Sequence, residues 1–317
     1  MQNPELVAYS IPMRTRFRGI TTREGLLIRG PAGWVEFSPF LDYDAAQCVP
    51  WLTAARASAE RRWPDAVRDS VPVNCTVPAI GPERAAAIVR ASNGCRTAKV
   101  KVAEPGQVIG DDLARVEAVR DALGSKGRVR IDVNGHWDVD QAQHAIPLLD
   151  RAAGGLEYVE QPCRTVEELA AVRMRVDVPI AADESIRLAS DPMRVVALEA
   201  ADIAVLKVQP LGGVEACLRI AEEIGLPVVV SSALETSIGI AAGVALAAAL
   251  PELPYACGLA TVQLLEHDVV TYPLVPVDGA LSVTRPSPDP AALAAARADD
   301  ETTSRWQARL REVEAIA

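Results

Sequence analysis

The stretch "VRIDVNGHWDVDQAQHAIPLLDRAAGGLEYVEQP", residues 129–162, decides the fold. Its ends are short, apolar, β-branched runs, "VRIDVN" and "LEYVEQP", which reach the acids Asp132 and Glu160. Between them, "DVDQAQHAIPLLDRA" carries its apolar residues at helical spacing. Strand, helix and strand in this order predict a βαβ unit with parallel strands. Parallel strands end on the same side of their sheet, so both carboxylates point to one edge.

The same period extends in both directions. Upstream lie "VPVNCTV" (71–77), the Ala-rich "PERAAAIVRAS", "AKVKVA" and "DDLARVEAVRDAL"; downstream lie "PIAADES", "PMRVVALEA", "IAVLKVQP", "GVEACLRIAEEI" and "PVVVSSAL". The polar or small residues closing these strands are Lys101, Asp132, Glu160, Asp183, Lys207, Ser231 and then Cys257 in "YACGL", at intervals of 31, 28, 23, 24, 24 and 26. The strand that begins at 71 brings the total to eight. Eight units of this length predict an α/β chain of the (β/α)8 type, a modified TIM barrel. No GxGxxG follows the first strand, which argues against a doubly wound dinucleotide-binding sheet.

Both ends of the chain stand outside that rhythm. "GLLIRGPAGWVEFSPF" reads as a β-hairpin and "YDAAQCVPWLTAARASAERRW" as one or two helices. "DVVTYPLVPVDGALSV" reads as extended chain returning to this module, ahead of a helix around 290–316. The expected organisation is a barrel over 71–265 and a small α+β cap built from 1–70 and 266–317.

Composition narrows the function. The net charge of −10 argues against nucleic acid as the main partner. The most apolar run, "LETSIGIAAGVALAAAL" (234–250), is short for a membrane span, opens beside Glu235 and ends at Pro251. "MQNPELVAYSIPMRTRF" lacks an apolar signal region, and the six cysteines show no CxxC spacing. Together these predict a cytoplasmic protein with reduced thiols and no membrane partner. The basic residues Arg14, Arg16, Arg18 and Arg23 form either a charged strand face or a loop that meets an anionic small molecule.

Lysine is scarce. Only four of the 32 basic residues are Lys, at 99, 101, 126 and 207, and all but Lys126 sit in apolar strand-like runs. Lysine, unlike arginine, has a neutral form within reach of burial or a neighbouring charge. Lys99 and Lys101 are two residues apart, so in a strand their side chains share a face, ~6–7 Å apart at ~3.3 Å per residue. An edge strand blunted by solvated lysines is the plain alternative.

In barrels of this kind, function gathers at the C-terminal ends of the strands. Here these ends carry Lys101, Asp132, Glu160, Asp183 and Lys207 in turn. Three carboxylates on consecutive strands raise one another's pKa unless a cation joins them. Hard oxygen ligands suit Mg²⁺, with Mn²⁺ as a substitute. Lys101, nearest the mouth, is then a candidate base for a proton beside a carboxylate. Lys99 would tune its pKa, the metal would stabilise the enediolate, and Lys207 would face the other side of the substrate.

"KVK", "DVNG", "EQP", "ADES" and "KVQPLGG" occur in this order over 97–213, and "SSALETSIG" extends the series to 239. The pattern resembles the enolase superfamily and, within it, the muconate-lactonising subgroup. The resemblance implies metal ligands at Asp132, Glu160 and Asp183, catalytic lysines at 101 and 207, and Lys99 as a pKa-tuning neighbour. The reduced cap, "RTRFRGITTREGLLIRGPAGWVEFSPF" and "YACGLAT" look most like the short o-succinylbenzoate synthase family. That likeness implies dehydration of a small anionic carboxylate in menaquinone synthesis. It also makes Ser231, Ser232 and Gly258 candidate substrate-binding residues, with helix capping as the rival role for the serines. Asn134 and Gln161 would support the ligands or act as plain turn residues. "GWVEF" departs from many relatives, which carry Gly where Val35 stands.

Two other classes share these motifs. An N-acylamino acid racemase, dipeptide epimerase or muconate cycloisomerase would use the same two lysines, although "YACGLATVQLLEHD" lacks the Asp-x-Asp usual in dipeptide epimerases. A non-catalytic metal-dependent binding protein would have lost a lysine or a ligand, and none is lost. The motifs leave the oligomeric state open.

Overall fold

The computed structural model describes residues 5–189 and 191–317; residues 1–4, on which part of the N-terminal reading falls, lie outside the described residues. The chain begins with three strands, β1 (Leu6–Phe17), β2 (Ile20–Gly30) and β3 (Gly33–Phe37), in one antiparallel sheet. Phe17 pairs with Ile20, leaving a two-residue turn in which Arg18 and Gly19 both have positive φ, 49° and 77°. Such turns match the twist of the flanking strands and favour glycine at the second position. This turn carries Arg18 to the tip of the hairpin. Helix α1 (Ala45–Glu60) follows, its N-terminus closed by a capping box of Asp44 and Gln47.

β4 (Ser70–Pro72) leads into the barrel series: β5 (Cys75–Val77), α2 (Pro82–Arg90), β6 (Thr97–Lys101), α3 (Ile109–Leu123), β7 (Arg128–Asp132), α4 (Val139–Ala153), β8 (Leu156–Glu160), α5 (Val166–Arg173) and β9 (Ile180–Ala182). The short helices α6 (Glu184–Arg187) and α7 (Arg194–Ala197) come next, then β10 (Ile203–Lys207), α8 (Val214–Ile224), β11 (Val228–Ser231) and α9 (Ser237–Ala249). Strands β5 to β11 form one parallel sheet in chain order. The sheet curls shut across residues 257 and 258: Gly258 bridges Ser231, Cys257 bridges Val73, and the Gly258 amide donates to the Val230 carbonyl at 2.8 Å. This is the expected barrel, with one difference. The eighth strand is reduced to these bridging residues, and a 3₁₀ turn at Ala260–Leu264 follows it in place of an α-helix.

Strand alternation explains what fills the barrel. Val129 and Ile131 of β7 face the helices and join the large apolar cluster between sheet and helices, while Arg130 and Asp132 take the opposite parity. Arg130 is fully buried and donates to the Tyr158 hydroxyl at 2.9 Å, to Asn74 at 3.2 Å and to the Ala256 carbonyl at 2.7 Å. Arg130 and Tyr158 occupy the positions before Asp132 and Glu160 on the same strand faces, which sets the catalytic-looking layer above a packed floor.

The tail divides its contacts. Val269 and Val270 pack in the cap core, but 274–283 turn to the barrel, where β12 (Ala280–Ser282) pairs antiparallel with β4. Helices α10 (Pro290–Ala296) and α11 (Asp300–Glu314) then cover the cap. Trp306 of α11 is buried edge-on against Phe37, ring centroids 6.3 Å apart. All six cysteines are free and buried. Among the described residues no helix is long and apolar enough to cross a membrane.

Candidate active site

The register of the sheet sets the site. Lys101 pairs with Asp132, Asp132 with Glu160, Glu160 with Ala181, and Lys207 with Ser231, so the residues picked from the sequence fall in one layer around the barrel mouth. A cavity of about 570 Å³, part of it open to solvent, lies over this layer. Lys99, Lys101, Asp132, Asn134 and Lys207 line one side, Ser231, Ser232 and Gly258 another, and Phe17, Arg18 and Phe40 of the cap close it from above. Glu160 and Asp183 are fully buried behind the lysines and do not line the cavity themselves.

Each carboxylate is held by a cation. Lys101 Nζ lies 2.5 Å from both Asp132 Oδ2 and Asn134 Oδ1. Lys99 Nζ donates to both Glu160 oxygens at 2.9 and 3.0 Å and stands 3.3 Å from Asp132. Lys207 Nζ reaches Asp183 Oδ2 at 2.6 Å, while Arg187 Nε takes Oδ1 at 3.0 Å. Burial opposes ionisation of all three acids, yet Lys101 and Lys99 hold Asp132 well below the usual carboxylate range, and Arg187 and Lys207 hold Asp183 at about 2. Glu160 differs: burial and the nearby Asp132 charge push it up to about 7 despite Lys99. Burial also works against the Lys99 ammonium, but Glu160 and Asp132 outweigh it and raise its pKa. Lys99 therefore answers first to two carboxylates, where the sequence suggested mutual repulsion with Lys101.

Among the described residues no three acids or other ligating side chains share one point in this arrangement, because each carboxylate is turned to its own cation. The donor set nevertheless fits a hard divalent ion. Three buried carboxylates stand at neighbouring strand ends, and both Asp132 and Asp183 raise the pKa of Glu160, as close like charges do. Ligation asks only that Lys99, Lys101 and Lys207 release oxygens they now hold.

The supporting residues are placed as follows. Asn134, at φ 51°, donates from its amide to Glu184 Oε1 at 3.1 Å while its carbonyl oxygen accepts from Lys101. Gln161 Oε1 accepts from the Asp183 and Ser185 amides at 3.0 and 3.1 Å and fixes the backbone that presents Asp183. Helix α9 is capped by Thr236, which removes the capping role from Ser231 and Ser232. Ser232 Oγ lies 2.7 Å from Thr261 Oγ1. At Gly258 an added Cβ would sit 2.6 Å from Ser231 Oγ, so a side chain here would force the Ser231 hydroxyl to turn away.

The basic cluster separates. Arg18 lies with its guanidinium carbon 3.8 Å from the Phe40 ring centre, pairs with Asp42 at 3.3 Å and borders the cavity. Arg16 is exposed on an outer groove, and Arg14 donates to the Glu266 carbonyl. Arg23 is buried away from them and bonds to Ser38, Ala233 and Leu234. Sequence reasoning missed Arg187 and Glu184. The one signal was their position, one and four residues after Asp183 in "DESIR", which a single helical turn brings beside that carboxylate.

Residues 83–288 match the family described as Enolase C-terminal domain-like, and residues 8–59 the family described as Enolase N-terminal domain-like. The o-succinylbenzoate synthase of Thermobifida fusca is 67% identical over 303 residues, 96% of this chain and 94% of its own. The chain belongs to the o-succinylbenzoate synthase family of the enolase superfamily. Another family member, from Mycolicibacterium smegmatis, is 57% identical over 94% of this chain and 91% of its own. The fold is also that of a muconate lactonizing enzyme from Pseudomonas fluorescens complexed with muconolactone (TM-score 0.79, 23% identity, 93% of this chain and 98% of that one). The L-Ala-D/L-Glu epimerase from Bacillus subtilis is similar in fold as well (TM-score 0.76, 24% identity, 90% and 97%). Enzymes of this superfamily use a divalent metal.

Proposed function

We propose that the chain is an o-succinylbenzoate synthase, which dehydrates 2-succinyl-6-hydroxy-2,4-cyclohexadiene-1-carboxylate to o-succinylbenzoate in menaquinone biosynthesis. The observation that carries this reading is the 67% identity over nearly the whole chain to a protein of that name. The ring of lysines and carboxylates under a basic, aromatic lid supports it.

In this reading Asp132, Glu160 and Asp183 hold Mg²⁺, or Mn²⁺ in its place. Bound there, the ion supplies Lewis-acid charge for the substrate carboxylate. Lys101 removes the proton beside that carboxylate. A neutral amine has two N–H donors and one lone pair; with Asp132 given over to the ion, Asn134 Oδ1 would accept one N–H and orient the amine, and the lone pair is left for the substrate. The C–H pair becomes part of the ring π-system, the C–O bond breaks, and Lys101 returns its proton to the departing hydroxide, so that water leaves. Lys207, as an ammonium, stabilises the planar anion from the opposite side. Lys99 keeps a positive charge on Glu160, two residues deeper on the strand that presents Lys101. Ser231 and Ser232 present hydroxyls to the substrate, Gly258 lines the pocket beside them without a side chain, and Asn134 and Gln161 hold the ligands in place.

A steady-state assay tests this. Turnover of the cyclohexadiene carboxylate in Mg²⁺ buffer, far above that of N-succinyl amino acids, is the expected outcome; racemisation without dehydration would overturn it.

The cap adds a prediction. Arg18 overhangs the cavity and the substrate is a dianion, so Arg18→Gln should raise KM several-fold with a smaller fall in kcat, as removal of uniform binding does. Arg16→Gln, on the outer groove, should have the weaker effect. An unchanged KM in Arg18→Gln would reduce that residue to its pair with Asp42.

A further inference from the structure

We infer that Arg23 and Glu36, cap residues remote from the reacting groups, are positioning residues that set the 231–236 wall of the cavity. This inference rests on the function proposed above, because that wall carries Ser231 and Ser232. Strand β11 ends at Ser231, and the chain turns through Ala233 and Leu234 before α9 begins. Leu234 adopts φ 64°, a left-handed conformation unusual for a branched residue, so something outside the turn must stabilise it.

The cap supplies that hold. Arg23 Nε donates to the Leu234 carbonyl at 3.0 Å and Nη2 to the Ala233 carbonyl at 3.1 Å, and the same guanidinium is anchored to Ser38 Oγ at 2.9 Å and to the Ser38 carbonyl. Glu36, fully buried on β3, grips the next residues. Its Oε2 accepts from the Thr236 amide at 3.0 Å, Thr236 Oγ1 at 2.5 Å and the Gly239 amide at 3.2 Å, while Oε1 accepts from Tyr9 and Ser38, both at 2.7 Å. A carboxylate from one unit thus closes the first turn of a barrel helix, and a guanidinium fastens the loop just before it. Both side chains are almost fully enclosed, 2% and 3% exposed, and neither borders the cavity. Their reach to the substrate is through the backbone they fix.

Every bond to Glu36 needs an acceptor. In Glu36→Gln one oxygen becomes an amide that must face donors, either Tyr9 and Ser38 or Thr236 and Gly239. In Arg23→Lys one ammonium replaces a fork and cannot span both carbonyls and Ser38. A wall displaced by about 1 Å can cost ~10²-fold in rate.

The test measures melting, Mn²⁺ affinity and the dehydration constants of each variant. Glu36→Gln and Arg23→Lys should melt cooperatively, bind Mn²⁺ as the parent does and lose roughly 10- to 100-fold in kcat/KM. Their double variant should lose less than the product of the two, because both act on one loop. Thr236→Val, which removes the hydroxyl that joins Glu36 to the cap of α9, should be impaired in the same sense, and Thr236→Ser, which keeps that hydroxyl, should recover parental constants. This pair decides the matter if the first two variants do not fold. Folded variants with parental kcat/KM, a loss that follows Mn²⁺ affinity, or a Thr236→Ser as poor as Thr236→Val would each overturn the inference. A parent that does not dehydrate at all overturns instead the function on which it rests.

Discussion

Replacing Lys101 by alanine is expected to cost ~10²–10⁴-fold in kcat, the usual effect of losing a positioned general base. Lys207→Ala should cost ~10²–10³-fold, as removal of one preorganised charge does. The two losses differ in origin. Lys101 bonds Asp132 and Asn134 and borders the cavity, where in the proposed reaction it would take and return one proton; Lys207, tied to Asp183 beside the neighbouring strand, would serve the dehydration by its charge. Deuterium exchange into N-succinyl amino acids separates them: Lys101→Ala should lose exchange for one enantiomer and Lys207→Ala for the other. Near-normal dehydration by Lys207→Ala would return that lysine to a structural role as the counter-ion of Asp183.

Removing the metal should be as damaging. Excess EDTA is expected to abolish turnover and Mg²⁺ or Mn²⁺ to restore it, while Asp132→Asn, Glu160→Gln and Asp183→Asn should each weaken Mn²⁺ binding and abolish most activity. Charge neutralisation also leaves a buried lysine without its partner. Breaking one half of a buried pair typically costs ~3–5 kcal/mol, so melting must be followed beside activity. Glu160→Gln should be the mildest in stability, since its carboxyl is already pushed up to about 7 and is the least secure charge of the three. Full activity after chelation would exclude the metal-assisted route.

Most of the barrel was legible because its signals are local. β-branched runs at regular spacing specify parallel strands, and a polar residue ending each one marks the mouth; Lys101, Asp132, Glu160 and Lys207 needed only parity and period. The rest depends on contacts between distant segments. Arg23 looked like a member of a surface cluster with Arg14 and Arg16, yet it sits opposite the buried Ile11 in the β1–β2 register and turns inward. β12 finds β4 rather than the cap, a pairing about two hundred residues apart in sequence that no short pattern announces. The reduced eighth strand has the same cause, since Cys257 and Gly258 suffice to bridge neighbours already held in place by the ring. Arg187 was hidden because it lies just past "PIAADES", in a stretch given no element, whereas a turn of helix begins at Glu184.

The contacts between α11 and the N-terminal sheet have a bearing on how the protein is made. Trp306 donates to Glu24 across 282 positions of sequence, and Arg56 meets Glu314 across 258. At translation rates of ~5–20 residues per second, β1 to β3 leave the ribosome ~15–55 s before the helix that covers them. Phe37 and its neighbours must wait through that interval without their partner, while the barrel between them is synthesised. The lid over the active site is therefore begun before the barrel and completed after it, and its apolar face is where a chaperone would be needed during synthesis.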